Sequence, residues 1–168
     1  MLGVALRFRA ETVADADPDE GDQDLLLATI RHPWTMPLAP LTTHVHDFLA
    51  NDYYGVSPFS IQGLGTGWLR AVSIQIGPAA DTRRERLARA VESGSAHWRL
   101  EVRPQAEELW RPLVELRLTS PVTLDQRRLR FSAFRDGRGL RPVGFVHSLR
   151  AATYASSQAA RPLTPARP

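Results

Sequence analysis

The sequence lacks cysteine and lysine altogether, and it has no long hydrophobic run. Without cysteine, disulfides, thiolate-bound zinc, iron–sulfur clusters and a cysteine nucleophile are excluded, so a metal ion would need His, Asp, Glu or Tyr ligands. Without lysine, Schiff-base chemistry and a P-loop lysine are excluded as well. No apolar stretch reaches the roughly 18 to 20 residues that cross a bilayer, and residues 2–6 are too few for a signal-peptide core. We therefore expect a cytoplasmic protein without membrane contact.

Every basic residue is an arginine, and the net charge of +3 hides a separation of charge along the chain. An acidic run without a basic residue consists of Glu11, Asp15, Asp17, Asp19, Glu20, Asp22 and Asp24. From Arg127 to the C terminus there are nine arginines and one acid, Asp136. This separation fits either an anionic partner, such as nucleic acid or a propionate-bearing cofactor, or solvated strand faces and a frayed tail. The second interpretation is favoured, and for the first the contacts would be Arg127, Arg128 and Arg130.

The length predicts a single domain over residues 1–160, with the proline-rich residues 161–168 as a disordered tail. Alternating apolar and polar residues predict strands at "LGVALRF", "DLLLATI", "GVSPFSIQ", "GWLRAVSIQIG", "HWRLEVR", "PLVELRL" and "RRLRFSAF". In "HWRLEVR", Trp98, Leu100 and Val102 are expected to face inward, and His97, Arg99, Glu101 and Arg103 outward. Half-polar alternation is typical of antiparallel sheets with one face on a core. The predicted fold class is therefore α+β, an antiparallel β-barrel-like meander with a short helix and a C-terminal helix.

The short helix is predicted over residues 81–93. Thr82 and Glu85 have the spacing of a capping box, and Gly94 suits the position after the last helical turn. The apolar stripe of this helix consists of Leu87, Ala90 and Val91.

Two short motifs have more ordinary interpretations than functional ones. The sequence His44-Val45-His46-Asp47 could begin a metal site, but no third histidine lies at a usual spacing, so an exposed loop is favoured. The adjoining residues 46–52 predict a short helix. "GLGTG", at residues 63–67, resembles a phosphate-binding loop but lies between two predicted strands, so a hairpin turn is favoured.

The predicted C-terminal helix, which begins at Pro142 and runs to about residue 158, places His147, Arg150 and Tyr154 on one face. An arginine one turn from a tyrosine stabilises the phenolate, whereas a free phenol ionises only near pH ~10. A phenolate is the form in which tyrosine binds ferric haem. An arginine–tyrosine pair at this spacing also occurs by chance in many helices, so an ordinary packing role stays open.

Short blocks along most of the chain resemble the haem-dependent catalase superfamily in their order and spacing. The blocks are "LGVALRF", "GDQDLLLATI", "YYGVSPFSI", "GWLRAVSIQ", "LARAVESGSAHWRLEV", "ELWRPLVELRLTSPV", "LRFSAF" and "LRAATY". The resemblance implies that Tyr154 is the proximal axial ligand of a haem b and that Arg150 keeps it ionised. It also implies that Arg161 contacts a propionate, whereas it gives His147 no role.

The sequence departs from that family where peroxide is cleaved. The family's distal histidine lies upstream of the strand that "LGVALRF" resembles, which is where this sequence begins, and the expected asparagine is missing from "LATIRHPW". Leu2 stands where the family has arginine, and His32, His44 and His46 follow the strand and are not taken as replacements. The resemblance therefore implies a divergent haem-binding protein with weak peroxidase activity and without efficient catalase turnover.

Two explanations of the missing segment stay open, namely a truncation or late start codon, which is favoured, and loss of the distal side. Two other functions also stay open. One is a remnant without a ligand, and the other is an arginine-rich module that binds an anion. Homo-oligomerisation is compatible with all of these.

Overall fold

The computed structural model describes residues 2–10, 14–30, 42–75 and 77–143 of the chain. Their regular elements are β1 Gly3–Phe8, β2 Gln23–Ala28, β3 Tyr53–Gly55, β4 Phe59–Ile61, β5 Gly65–Ser73, α1 Arg83–Glu92, β6 His97–Pro104, β7 Arg111–Arg117 and β8 Leu140–Pro142. All strand pairs are antiparallel. The predicted α+β class with a mainly antiparallel sheet is thus confirmed.

Strand β5 is the centre of the sheet. It pairs with β6 along one edge, and with β3 and β4 in line along the other edge. Beyond these neighbours, β2 and β1 continue from β3, β8 continues from β4, and β7 continues from β6. Within the described ranges β1 and β7 each pair with one neighbour, so the sheet does not close there into the predicted barrel.

The predicted strand "GVSPFSIQ" is divided into β3 and β4 because Pro58 has no N–H to give to a strand ladder. Tyr54 pairs with Arg70, and Phe59 pairs with Gly67. From the first pair to the second there are five residues along the β3–β4 segment but three along β5, so β3 and β4 are separated by two extra residues. After β4 the chain reverses through Gly63, whose φ of +80° suits a tight turn, so the predicted hairpin at "GLGTG" is confirmed.

Helix α1 begins and ends as predicted. The Thr82 hydroxyl accepts a hydrogen bond from the Glu85 N–H at 3.2 Å, and the Glu85 carboxylate accepts one from the Thr82 N–H at 3.3 Å. Gly94 follows the helix with φ +70°. The predicted apolar stripe faces the core, with Ala90 fully buried and with Leu87 and Val91 packed partly buried against it.

The core consists mainly of side chains from the strands of the sheet together with Ala90 of α1. The predicted inward residues of β6 are all buried, since Trp98, Leu100 and Val102 have 4%, 1% and 2% of their surface exposed. Tyr53 of β3 meets Trp98 edge to face, with ring centroids 6.2 Å apart. The other members of the core include Leu25, Leu27, Phe59, Ile61, Leu69, Ala71 and Leu140.

The prediction of a strand at "RRLRFSAF" is wrong, because polar side chains bind the backbone groups that a ladder would use. The Asp125 carboxylate accepts a hydrogen bond from the Arg127 N–H at 2.8 Å, and its backbone carbonyl accepts one from the Leu129 N–H at 2.9 Å, so the chain turns here. The Ser132 N–H then donates to the buried carboxylate of Asp24 at 2.9 Å. Residues 125–137 form an irregular segment beside the start of β2, which is called the strap below.

The predicted short helix at residues 46–52 is also wrong, because Asp47 forms a local turn by accepting a hydrogen bond from the Leu49 N–H at 2.8 Å. The predicted terminal helix does not begin at Pro142, which is the last residue of β8. The remainder of that helix lies outside the described residues.

The alkaline limit of stability is predicted to depend on Tyr53. Burial, together with the negative charge of Asp47, raises the pKa of Tyr53 to about 12, from an ordinary value near ~10. An unfolded chain therefore releases this proton first, so stability is complete below pH ~10 and is lost as the pH rises towards ~12. Urea unfolding between pH ~9 and pH ~11.5 should show a steep loss for wild type and a shallower one for Tyr53→Phe. Equal slopes would contradict this assignment.

Candidate functional site

The residues predicted to hold a haem, Tyr154, Arg150 and Arg161, lie outside the described residues, as does His147. The chain has three tyrosines in total, and two of them, Tyr53 and Tyr54, are described. Their environments indicate whether they could replace Tyr154 as a haem ligand. The hydroxyl of Tyr53 donates to the Phe48 carbonyl at 2.8 Å, and its raised pKa keeps it a protonated phenol. The hydroxyl of Tyr54 donates to the carboxylate of Asp52 at 3.3 Å.

The His44–Asp47 motif does not assemble a metal site. His44 and His46 are exposed on a turn, which confirms the exposed-loop interpretation. The carboxylate of Asp47 is instead directed inward, where it accepts from the Leu49 N–H and pairs with Arg86 at 3.4 Å. Across the part of the chain that the structure describes, no three His, Asp or Glu side chains are grouped to hold a metal ion.

A buried charge cluster joins the two ends of the described chain around Asp24, whose side chain is 0% exposed. Arg7 binds both of its oxygens, with Nε 2.8 Å from Oδ1 and Nη2 3.1 Å from Oδ2. Arg135 donates to Oδ2 through its Nε at 3.1 Å, and the Ser132 N–H donates to the same oxygen. Arg7 also donates to the Arg130 carbonyl and lies 4.8 Å from the centroid of the Phe131 ring. The strap is thereby fixed to β1 and β2.

The charge separation seen in the sequence is in part an internal pairing. Arg128 pairs with Asp17 and Arg135 with Asp24, so arginines of the strap meet acids of the N-terminal run. Arg9 in turn pairs with Asp19. Beside the predicted alternatives of an anionic partner or a solvated surface, the structure thus shows a partial pairing of the two runs with one another.

Glu101 occupies the outer face of β6 as predicted, yet it is 4% exposed and not solvated. Arg70 donates to Oε2 at 2.8 Å and Arg99 donates to Oε1 at 2.7 Å. Burial by itself would raise the pKa of Glu101, but the two hydrogen bonds and the two positive charges together lower it. The Arg70 guanidinium also lies 4.4 Å from the ring centroid of Trp110. This group fastens β5, β6 and the residue before β7 to one another.

A cleft opens on the core side of the sheet, between the end of β1, the β4–β8 pair and the β6–β7 pair. Its volume of about 460 Å³ lies within the range of small-molecule sites. The apolar wall consists of Phe8, Ile61, Leu100, Leu113, Val114 and Leu140. The polar wall consists of Gln62 and the two arginines Arg9 and Arg138, and among the described residues no acidic side chain lines the cleft.

A β-bulge in β7 shapes this cleft. Leu100 pairs with Val114 and the next residue, Glu101, pairs with Pro112, so Leu113 is an extra residue on β7. Neighbouring residues of a regular strand face opposite sides of a sheet, whereas a bulge redirects one of them. Leu113 and Val114 both line the cleft although they are consecutive. The signal in the sequence is that Leu113 and Val114 are consecutive apolar residues, which breaks the alternation of the strand at this point.

Comparisons of the chain with protein-family models, with curated proteins and with solved structures found no match. Among the described residues, no helix has the length and apolar character needed to cross a membrane.

Proposed function

We propose that the chain is a divergent catalase-like haem-binding protein in which Tyr154 is the axial ligand of a haem b iron. Arg150, four residues earlier, holds the phenol in its ionised form, and Arg161 contacts a propionate. The proposal includes a catalase-like β-barrel, of which the described antiparallel sheet is a part. It rests on the ordered sequence blocks that resemble the catalase superfamily.

One observation carries the choice of Tyr154. Tyr53 is a buried phenol whose proton is held by the Phe48 carbonyl, so it is unable to supply a phenolate at neutral pH. Tyr54 already donates to a carboxylate and packs its ring edge-on against Trp110. Tyr154 is the remaining tyrosine, and an arginine precedes it by four residues.

The donor chemistry of the chain fits a haem better than a bare iron ion. Non-haem iron sites need several protein ligands, commonly two histidines and a carboxylate. The described residues offer no such group. A haem carries its own in-plane nitrogen ligands and needs one axial donor, with cations for its propionates. A chain with 21 arginines and no cysteine satisfies those needs through tyrosine and arginine.

The proposed activity is weak peroxidase chemistry and not efficient catalase turnover. Rapid cleavage of peroxide requires a positioned base that moves a proton between the two peroxide oxygens. The stretch "LATIRHPW", where the family has an asparagine that orients the peroxide, contains none. His44 and His46 are exposed on a turn, and that position gives them no support for this role.

Titration of the purified chain with haemin is expected to produce a shifted Soret band that saturates at one haem per chain. Arg150→Gln should weaken binding by about 10- to 100-fold, because it removes the group that supports the axial ligand. Arg138→Gln is the matched control and should leave the affinity unchanged, since Arg138 belongs to the cleft. Non-saturating absorbance for wild type, or equal effects of the two substitutions, would contradict the proposal.

A further inference from the structure

We propose that the cleft between β1, the β4–β8 pair and the β6–β7 pair binds an aliphatic monocarboxylate, whose chain lies on the apolar wall and whose carboxylate pairs with Arg138. The observations behind this proposal all come from described residues, and they do not rest on the proposed haem ligands.

The apolar wall is formed by side chains that still face solvent. Leu113 and Val114 are 39% and 43% exposed, and both line the cleft because of the bulge in β7. Leu100, beneath them on β6, is buried and forms part of the core. Covering exposed apolar surface removes it from water, which favours a ligand with a hydrocarbon chain. A bulge that directs two adjacent apolar side chains to one side creates such a surface without opening the core.

The positive charge of the cleft favours a ligand whose polar end is a carboxylate. Of the described residues that line the cleft, two are charged, and both are arginines. The charge of Arg9 is already balanced, because it pairs with Asp19 and its Nε lies 3.6 Å from the Asp22 carboxylate. Within the described residues, no ion pair involves Arg138, which is exposed at the rim. A guanidinium without a carboxylate partner, next to an apolar wall, matches a monocarboxylate.

The position of Arg138 is fixed by its backbone. Its N–H donates to the Oε1 of buried Gln23 at 3.3 Å, and the next residue, Gly139, has φ +76°. A Cβ at Gly139 would lie 2.9 Å from the Oε1 of Gln62, so glycine there allows Gln62 to pack over the turn. The turn that carries Arg138 is therefore held against β2 and β4, and the guanidinium extends from a rigid rim.

Isothermal titration calorimetry with decanoate tests this proposal, and decanol serves as the uncharged probe of similar length. Wild type is expected to bind one decanoate per chain, and Arg138→Gln should weaken that binding about tenfold because a charge-assisted contact is lost. Decanol should bind wild type and Arg138→Gln equally. Arg141→Gln is the matched control, because Arg141 is an exposed neighbouring arginine paired with Asp136. It should bind decanoate as wild type does.

Four results would overturn the proposal. The first is the absence of saturable decanoate binding, and the second is equal weakening by Arg138→Gln and Arg141→Gln, which would indicate a general charge effect. The third is stoichiometric displacement of decanoate by haemin, which would make the cleft part of the haem site. The fourth is a dimer in sedimentation velocity that excludes decanoate, which would show that a second copy of the chain fills the cleft. Failure of haemin binding with retention of decanoate binding would refute only the haem proposal.

Discussion

Asp24→Asn is expected to lower the free energy of unfolding by about 3–5 kcal/mol, the usual result of removing one partner from a buried ion pair. The asparagine side chain has the same shape, but its amide group would present donors to Arg7 and Arg135, which are themselves donors. The side chain of Arg7 is 7% exposed, so little water can replace the lost carboxylate. The strap should therefore lose its attachment to β2.

Urea unfolding followed by circular dichroism measures this effect, and Asp136→Asn is the matched control. Asp136 also pairs with an arginine, Arg141, at 3.2 Å, but the two side chains are 43% and 76% exposed. An exposed pair contributes about 0–1 kcal/mol, so this control should remain close to wild type. Similar losses in the two variants would show that Asp24 is not the buried centre of the charge cluster.

Gly137→Ala is expected to destabilise the protein by about 3 kcal/mol, at the upper end of the usual cost of overpacking. A Cβ at position 137 would overlap the carbonyl group of Gly21 and lie 2.7 Å from the carbonyl oxygen of Asp22. Both obstacles are backbone, which is unable to rotate away as a side chain would. The same approach lets the Gly137 N–H donate to the Asp22 carbonyl at 3.3 Å.

Gly3→Ala is the matched control for this close approach. A Cβ at Gly3 would meet the Leu27 carbonyl oxygen at 3.5 Å, which is an ordinary contact. A compatible glycine-to-alanine change is neutral or stabilises by roughly 0.4–1 kcal/mol, because it restricts the unfolded chain. The melting temperatures of Gly137→Ala and Gly3→Ala, compared with that of wild type, measure these effects. A wild-type melting temperature for Gly137→Ala would contradict the observed contact between residue 137 and residue 21.

The sequence predicted those elements whose pattern arises within the element itself. Strand β6 was located from the alternation of Trp98, Leu100 and Val102, and α1 from its capping box and Gly94. Local chemistry specifies such elements, since a capping box needs only the side chains of Thr82 and Glu85. The hairpin at Gly63 was predicted for the same reason.

The wrong predictions concern segments whose partners are distant in the chain. "RRLRFSAF" alternates as well as β6 does, but its Ser132, and Arg135 directly after it, bind the carboxylate of Asp24 more than 100 residues away. The alternation of apolar and polar residues shows which side chains are polar, but it does not show which acidic residue an arginine will pair with. Glu101 was assigned to the correct face, but its burial depends on Arg70 of a neighbouring strand.

The candidate sites also differ in whether they depend on residues of one segment or on residues that are distant in the chain. Arg150 and Tyr154 were predicted from spacing within one segment, and they stay a prediction because they lie outside the described residues. The cleft was not predicted, because it requires the extra residue Leu113 in β7 and the turn at Arg138 to face one another. Both features become visible only when the strand pairing is known.

The proposed axial ligand is tested most directly by absorption and resonance Raman spectra of the ferric haem complex in wild type, Tyr154→Phe and Tyr54→Phe at equal haem loading. We predict phenolate–iron bands in wild type and in Tyr54→Phe, and their loss in Tyr154→Phe. Tyr154→Phe spectra identical to those of wild type would contradict the assignment of Tyr154 as the haem ligand.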